Sequence, residues 1–190
     1  MHTFIRFCTC PFVRILPHVP RDARSLLEIG AGHGVFSQLA ADRGVARVVA
    51  VEPDIRKALL AHGVDGVSFI AGFDDSVRGR FDAIALIDVL YTIPLAQWDD
   101  LLARAAERLP PGGTLLIKEQ DPTARMKNAW NRAQEWFTQN VLRVTLAHAF
   151  SYEAPEAFVA RLQRHGFGEV AVKRIDFGYP HPHLLFVAKR

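Results

Sequence analysis

The sequence predicts an α/β domain in which helices cover both faces of a mostly parallel sheet. Short apolar segments alternate with segments of helical periodicity, and turns rich in glycine or proline separate them. Strands that are apolar on both faces are typical of a buried parallel sheet. The chain has 190 residues, of which 49% are hydrophobic, so it can bury a core without help from disulfides or a structural metal.

The first two thirds of the chain follow this alternation in order. Residues 25–29 form an apolar segment that ends at Gly30, and residues 35–43 have helical periodicity, which predicts a strand, a glycine turn and a helix. The elements predicted next are strand 47–51, helix 55–61, strand 66–71, strand 81–87, helix 95–109 and strand 114–117. Glu52-Pro53 ends the second strand, and a Pro-Pro-Gly-Gly turn precedes the last one.

The last third departs from the alternation. Residues 122–150 carry apolar and cationic side chains in a pattern compatible with helix, and they form an excursion after the fifth strand. Helix 155–165 follows, and after it come strands 169–175 and 184–188. The connection between these two strands is too short for a crossover helix, so they are predicted to pair antiparallel as a hairpin.

We expect a single domain over residues 25–190, preceded by a helical cover segment over residues 1–24. Within the domain, the excursion 122–150 is expected to cover a substrate pocket, because it and the N-terminal segment both combine aromatic side chains with cations. The formal net charge is +3, but residues 25–121 carry −5 and the two flanks together carry +8. These basic flanks favour a partner that carries negative charge.

The composition disfavours several classes of protein. No apolar segment reaches the roughly 18 residues of a membrane-spanning helix. Arg6 and Arg14 interrupt the apolar core that a signal peptide needs. Cys8 and Cys10 are too close together for an unstrained disulfide and too few for a zinc site. We therefore expect a cytoplasmic protein that holds no metal.

The segment from Glu28 to Gly34, with the sequence Glu-Ile-Gly-Ala-Gly-His-Gly, is the most informative part of the chain. A glycine turn between a buried strand and a helix lets a ligand approach the backbone closely. The dinucleotide fingerprint Gly-x-Gly-x-x-Gly would need a third glycine where Val35 stands. Because Glu28 would repel a pyrophosphate, the turn favours a ligand that carries an ammonium group.

Acidic and aromatic residues follow the next strands, at the sheet edge where open α/β folds bind ligands. Glu52, at the end of the second strand, can accept hydrogen bonds from both hydroxyls of a ribose. After the third strand, Phe73 and Asp74 can meet an adenine ring and its exocyclic amine. Asp88 follows the fourth strand.

In the order of these motifs, the chain from about residue 25 onward resembles the class I S-adenosylmethionine-dependent methyltransferases. The resemblance implies a Rossmann-like, seven-stranded, mostly parallel sheet with an antiparallel last strand. It also implies S-adenosylmethionine as cofactor and S-adenosylhomocysteine as product, with the glycine turn on the methionine part, Glu52 on the ribose and Asp74 on the adenine. The cofactor-binding residues expected are Glu28, Gly30, Ala31, Gly32, Gly34, Glu52, Pro53, Phe73, Asp74 and Asp88.

Methyl transfer from a sulfonium requires alignment of the acceptor and, for an oxygen or nitrogen nucleophile, removal of a proton. The turn Tyr-Pro-His-Pro-His, residues 179–183, returns to the same sheet edge, and its histidines can act as bases near neutral pH. His181, His183 and Tyr91 are therefore the candidate catalytic residues. In the alternative interpretation, the turn is merely stiff and its histidines cap strand ends.

The residues expected to bind the acceptor are Glu119, Arg125, Lys127 and Trp130. The cations among them predict a small-molecule acceptor with an apolar body and an anionic group, such as a lipid-like or specialised-metabolite precursor; contact with an anionic membrane surface is an alternative. An RNA methyltransferase and a non-catalytic S-adenosylmethionine-binding protein stay open as further alternatives. Nucleic acid is disfavoured because Asp-Val-Leu-Tyr, residues 88–91, replaces the Asn/Asp-Pro-Pro-aromatic motif of amino-directed enzymes.

Overall fold

A computed structural model describes residues 9–57, 65–121 and 153–190. The strands are β1 Ser25–Ile29, β2 Arg47–Glu52, β3 Val67–Ala71, β4 Ala83–Ile87, β5 Thr114–Gln120, β6 Glu169–Arg174 and β7 His183–Lys189. The α-helices are α1 Phe12–Ile15, α2 Val35–Asp42, α3 Trp98–Arg108 and α4 Pro155–Arg164. Short 3-10 turns at Asp74–Ser76, Leu90–Thr92 and Leu95–Gln97 connect them.

The strands form one sheet in the order β3-β2-β1-β4-β5-β7-β6. Neighbours from β3 to β5 pair in parallel, whereas β7 pairs antiparallel with both β5 and β6. This arrangement confirms the predicted fold class and the antiparallel hairpin. Because the chain leaves β1 toward β2 on one side and later returns to β4 on the other, a crevice opens at the carboxyl ends of β1 and β4.

Strand boundaries differ from the prediction mainly where pairing between distant segments decides them. Strand β5 continues to Gln120 and β7 begins at His183, because these two residues lie opposite each other in the antiparallel ladder. Strand β4 begins at Ala83, two residues later than expected. Before it, the Asp82 carboxylate accepts hydrogen bonds from the backbone N–H groups of Arg24 and Ser25, both at 2.9 Å. The backbone of residues 24 and 25 is therefore hydrogen-bonded to a side chain as well as to a neighbouring strand.

Two apolar clusters lie on opposite faces of the sheet. One joins the sheet to α3 and α4 through residues such as Leu102 and Phe158. The other joins it to α2 and to the N-terminal segment, where Phe12 packs against Phe36 with ring centroids 6.4 Å apart. The described part of the predicted N-terminal cover, residues 9–24, therefore contributes to the core of the domain.

A buried arginine fixes α4 to the start of α3. Arg161 donates hydrogen bonds to Asp99 at 2.7 Å and to both carboxylate oxygens of Glu153, at 3.0 and 2.9 Å. His165 lies 2.8 Å from the other oxygen of Asp99. These contacts hold α3 in place, and α3 forms one wall of the crevice.

Several predicted features lie outside the described residues. They are the excursion 122–150 with Arg125, Lys127 and Trp130, the first eight residues, and most of helix 55–61, of which residues 55–57 are helical. The predicted domain boundaries stay predictions. No helix within the described ranges is long and apolar enough to span a membrane.

The glycine that begins α2 should tolerate no side chain. Gly34 has a φ of +73°, and a Cβ there would lie 2.1 Å from the Phe69 ring. Gly44 has a φ of +98° but nothing within 4 Å of its Cβ position, so Gly44→Ala measures backbone strain alone. We expect Gly34→Ala to lower the free energy of unfolding by about 1–3 kcal/mol more than Gly44→Ala does, as measured by urea denaturation. Equal losses would contradict the close packing of Gly34 on Phe69.

Candidate functional site

A cavity of about 340 Å³ opens at the carboxyl ends of β1, β2 and β4, a size typical of small-molecule sites. The described residues that line it are Ile29, Gly30, Gly32, His33, Glu52, Pro53, Lys57, Phe73, Asp74, Asp88, Val89, Tyr91, Thr92, Ile93, Gln97, Leu101 and Arg104. Most of the predicted cofactor residues, and Tyr91, therefore lie around one space. Glu28, Ala31 and Gly34 do not line it.

The glycine turn is held against the end of β2 by its backbone. The N–H groups of Gly30 and Ala31 both donate to the Val51 carbonyl, at 2.8 and 3.0 Å. Gly32 has a φ of +58°, and a Cβ built on it would have no atom within 4 Å. Because Gly32 also lines the cavity, its missing side chain leaves room for a ligand to approach the backbone.

Glu28 stabilises the glycine turn by hydrogen bonds between β1 and α2. Its carboxylate is buried and accepts hydrogen bonds from the backbone N–H and the hydroxyl of Ser37, at 2.9 and 2.5 Å. These bonds satisfy a free N–H group in the first turn of α2. Glu28 thus ties β1 to α2. Its predicted contact with an ammonium group stays a prediction.

Glu52, at the end of β2, is hydrogen-bonded to the glycine turn. Its carboxylate accepts hydrogen bonds from the N–H groups of Gly32 at 2.7 Å and Asp54 at 3.1 Å. A carboxylate has about four acceptor positions, so roughly half of its capacity stays available toward the cavity that it lines. This arrangement fits the predicted role of Glu52 as an acceptor for ribose hydroxyls.

The residues after β3 differ in exposure. Phe73 lines the cavity and is 67% exposed, so its ring offers a face to a ligand. Asp74 is buried, and its carboxylate accepts hydrogen bonds from Arg104 at 2.6 and 3.1 Å and from Arg108 at 3.3 Å. The predicted adenine-contacting carboxylate is therefore engaged by two guanidinium groups of α3.

Asp88 adopts an unusual backbone conformation where β4 ends. Its φ is +58°, in the left-handed region that aspartate tolerates better than most residues. Its N–H donates to the Lys118 carbonyl at 3.0 Å, and its carboxylate forms an ion pair with the Lys118 ammonium. Only 1% of the Lys118 side chain is exposed. The buried lysine thus fixes the carboxylate that faces the cavity.

Glu119, predicted to bind the acceptor, instead lies behind the cavity wall. Its Oε1 accepts hydrogen bonds from the N–H groups of Val89 and Leu90 at 3.2 and 2.8 Å, and its buried Oε2 has no partner among the described residues. Burial and the neighbouring Asp88 carboxylate raise the pKa of Glu119 to about 8. The side chain is therefore largely protonated at neutral pH, and it holds the turn that follows β4.

The two candidate histidines lie at the start of β7. His183 is buried, its Nε2 donates to the Thr9 carbonyl at 3.0 Å, and its Nδ1 has no partner within the described ranges. Burial, with a smaller effect from the Lys118 ammonium, lowers the pKa of His183 to about 3. The His181 ring lies 6.0 Å from the His183 ring. Neither histidine lines the cavity, and their catalytic roles stay predictions.

Sequence reasoning missed some residues of the site. Lys57, Thr92, Gln97 and Arg104 all line the cavity. For Arg104 a signal was present, because it and Arg108 lie four residues apart on one face of an amphipathic helix. That spacing predicts a shared partner without identifying it, since the partner, Asp74, is 30 residues away in sequence.

A family model described as a methyltransferase domain matches residues 3–172. The chain belongs to the class I S-adenosylmethionine-dependent methyltransferases. This membership confirms the resemblance found in the motifs, and S-adenosylmethionine is the cofactor of the family. The open turn at Gly32 and the remaining acceptor capacity of Glu52 fit that cofactor.

A known protein is similar in sequence to part of this chain. Demethylspheroidene O-methyltransferase of Rhodobacter capsulatus is 31% identical over an alignment of 110 residues, and the match covers 52% of this chain and 26% of that protein. The match thus spans about a quarter of the length of the relative.

Solved structures share the fold over nearly the whole chain. A SAM-dependent methyltransferase from Archaeoglobus fulgidus has a TM-score of 0.74 at 14% identity, covering 94% of this chain and 91% of that one. Mycolic acid cyclopropane synthase, solved with S-adenosylhomocysteine, has a TM-score of 0.73 at 10% identity, covering 94% and 82%. At sequence identities this low, the similarity shows only that the fold is shared.

The raised pKa of Glu119 predicts a loss of stability as the pH rises. Between pH 4.5 and about 8, the folded chain keeps a proton that the unfolded chain releases, so the free energy of unfolding falls as pH increases. Glu119→Gln removes the titrating group and should flatten this slope in urea unfolding from about pH 5 to about pH 8. Glu107→Gln, at an exposed position of α3, is the matched control and should leave the slope unchanged. Equal slopes in the wild type and Glu119→Gln would contradict the prediction.

The lowered pKa of His183 predicts the opposite effect in acid. From pH 6.5 down to about 3, the unfolded ring binds a proton that the folded site excludes, so the free energy of unfolding falls as the pH drops. His183→Gln should reduce this acid sensitivity. His181→Gln, at a partly exposed position, should change it much less, because His181 contributes far less than burial to the lowered pKa of His183. An unchanged acid response of His183→Gln would show that the ring is protonated in the folded chain.

Proposed function

We propose that this protein transfers a methyl group from S-adenosylmethionine to a small-molecule acceptor. The observation that carries the proposal is the cavity in which the open Gly32 backbone, the Glu52 carboxylate and the exposed Phe73 ring face one space. In a chain of the methyltransferase family, these groups match the three parts of the cofactor. The bound cofactor supplies an activated methyl group on a sulfonium.

Each of these residues has a distinct task in binding. The Gly32 backbone allows close approach of the methionine part, and Glu52 accepts hydrogen bonds from the ribose hydroxyls. Phe73 offers an aromatic face for the adenine ring. Because the backbone N–H groups of Gly32 and Asp54 already orient Glu52, its free acceptor positions are fixed before the ligand arrives.

The acceptor side of the cavity combines apolar walls with a few polar groups. Ile29, Val89, Ile93 and Leu101 line it together with Tyr91. This lining supports an acceptor with an apolar body, which Tyr91 can orient through its hydroxyl group. The basic flanks of the sequence support an anionic group on that acceptor or contact with an anionic membrane surface.

The names of similar proteins point the same way. Two of them have names that refer to demethylspheroidene and to mycolic acid, which supports a small organic molecule as the acceptor. The acceptor can be sought by incubating the protein with S-adenosylmethionine and a panel of apolar hydroxylated compounds, and measuring formation of S-adenosylhomocysteine. Transfer to bulk RNA, with heparin binding that moderate salt abolishes, would instead support an RNA methyltransferase.

Glu52 provides the test of cofactor binding. We expect Glu52→Gln to weaken S-adenosylhomocysteine binding at least about tenfold, because the amide replaces a charged acceptor of the ribose hydroxyls. Isothermal titration calorimetry measures this loss. Asp65→Asn, which removes one carboxylate at an exposed position, is the matched control and should bind as the wild type does. Unchanged affinity of Glu52→Gln would refute the assignment, and no binding by the wild type would refute the function.

A further inference from the structure

The carboxylate of Asp74 is bound by arginines on two sides. Arg104 donates from Nε to Oδ2 at 2.6 Å and from a terminal nitrogen to Oδ1 at 3.1 Å, and Arg108 donates to Oδ2 at 3.3 Å. About three of the four acceptor positions of the carboxylate are therefore filled by protein donors. Only 9% of the Asp74 side chain is exposed.

The two arginines are placed differently. Arg108 also donates to the carbonyl oxygens of Asp74 and Val77 at 3.0 and 3.4 Å, so it fixes the loop after β3. Arg104 lines the cavity, and 39% of its side chain is exposed. Two of the five N–H donors of Arg104 bind Asp74, which leaves donors on the guanidinium for a ligand. The part of this ion pair that is exposed to the cavity is therefore the cationic guanidinium of Arg104.

We infer that Arg104, oriented by Asp74, contacts the adenine of S-adenosylmethionine, and that Asp74 is a positioning residue. The inference rests on the proposed function. It departs from the role that the family resemblance implies for Asp74, in which an acidic residue after the third strand contacts adenine. A guanidinium donates hydrogen bonds and accepts none. It can therefore donate to ring nitrogens of adenine, which accept, whereas Asp74 keeps only about one acceptor position for the exocyclic amine.

The two roles predict different ligand preferences. If Asp74 accepted a hydrogen bond from the exocyclic amine, replacing that amine by a carbonyl oxygen would place two acceptors against each other and weaken binding strongly. If Arg104 faces the purine, the carbonyl oxygen can accept from the guanidinium instead. S-inosylhomocysteine differs from S-adenosylhomocysteine by this replacement and by a proton on N1, while N7 beside the carbonyl oxygen still accepts, so the pair of ligands separates the two roles.

The test measures the affinity of both ligands by calorimetry on the full chain. We expect the wild type to bind both ligands with affinities within about threefold of each other, since neither the exocyclic amine nor the carbonyl oxygen contacts Asp74. Arg104→Ala frees one side of Asp74 and should create a preference of about tenfold or more for S-adenosylhomocysteine. Arg80→Ala, which removes one positive charge at an exposed position, is the control and should keep the wild-type ratio.

Asp74→Asn provides a second, independent readout. It removes the charge that orients Arg104, so both ligands should bind more weakly while their ratio stays near that of the wild type. A wild-type preference above about tenfold for S-adenosylhomocysteine that Asp74→Asn abolishes would overturn the inference. It would leave the proposed function intact. If the wild type bound neither ligand, the proposed function would fail and the inference with it.

Discussion

The site depends on the hydrogen bonds that join the glycine turn to the end of β2. The N–H groups of Gly30 and Ala31 share the Val51 carbonyl, and the N–H of Gly32 donates to the Glu52 carboxylate. These bonds hold two neighbouring strand ends at a fixed separation, so the turn keeps its shape without a ligand. Pre-organisation of this kind reduces the entropy that binding would otherwise cost. The remaining walls of the cavity are loops and α3, and they are placed around this junction.

Every carboxylate described in the cavity has a fixed partner inside the protein. Glu52 is bound by backbone N–H groups, Asp74 by Arg104 and Arg108, and Asp88 by the buried Lys118. Acidic groups at a sheet edge repel one another, and pairing each with its own donor lowers that repulsion. These three carboxylates of the acidic middle of the sequence are therefore each stabilised by nearby donors. A cationic cofactor meets carboxylates whose positions are already set.

The sequence allowed prediction of those features that depend on neighbouring residues. Strands β1 to β4 are short apolar segments, and Glu52 is the last residue of one of them, so local pattern was sufficient. The lengths of β5 and β7 were underestimated because each is set by its pairing with the other. The partners of Asp74 could not be predicted, since they lie on a helix 30 residues later. Nor could the left-handed conformation of Asp88, which its hydrogen bond to Lys118 accompanies.

Strand β7 lies between β5 and β6. Because of this position, the site is fully assembled only when β7 has joined the sheet. Until residues 183–189 insert, β5 has an unpaired edge, and in the described sheet β6 has no neighbour besides β7. Lys118 and Glu119 lie on β5 opposite Leu185 and Leu184, so their burial requires the same insertion. The paired residues of β5 and β7 are more than 60 residues apart in sequence, whereas those of β1 and β2 are 22 apart, and contacts between distant segments generally form more slowly than local ones. A chain in which β7 has not inserted would thus contain the glycine turn while the ion pair that fixes Asp88 still lies next to an unpaired strand edge.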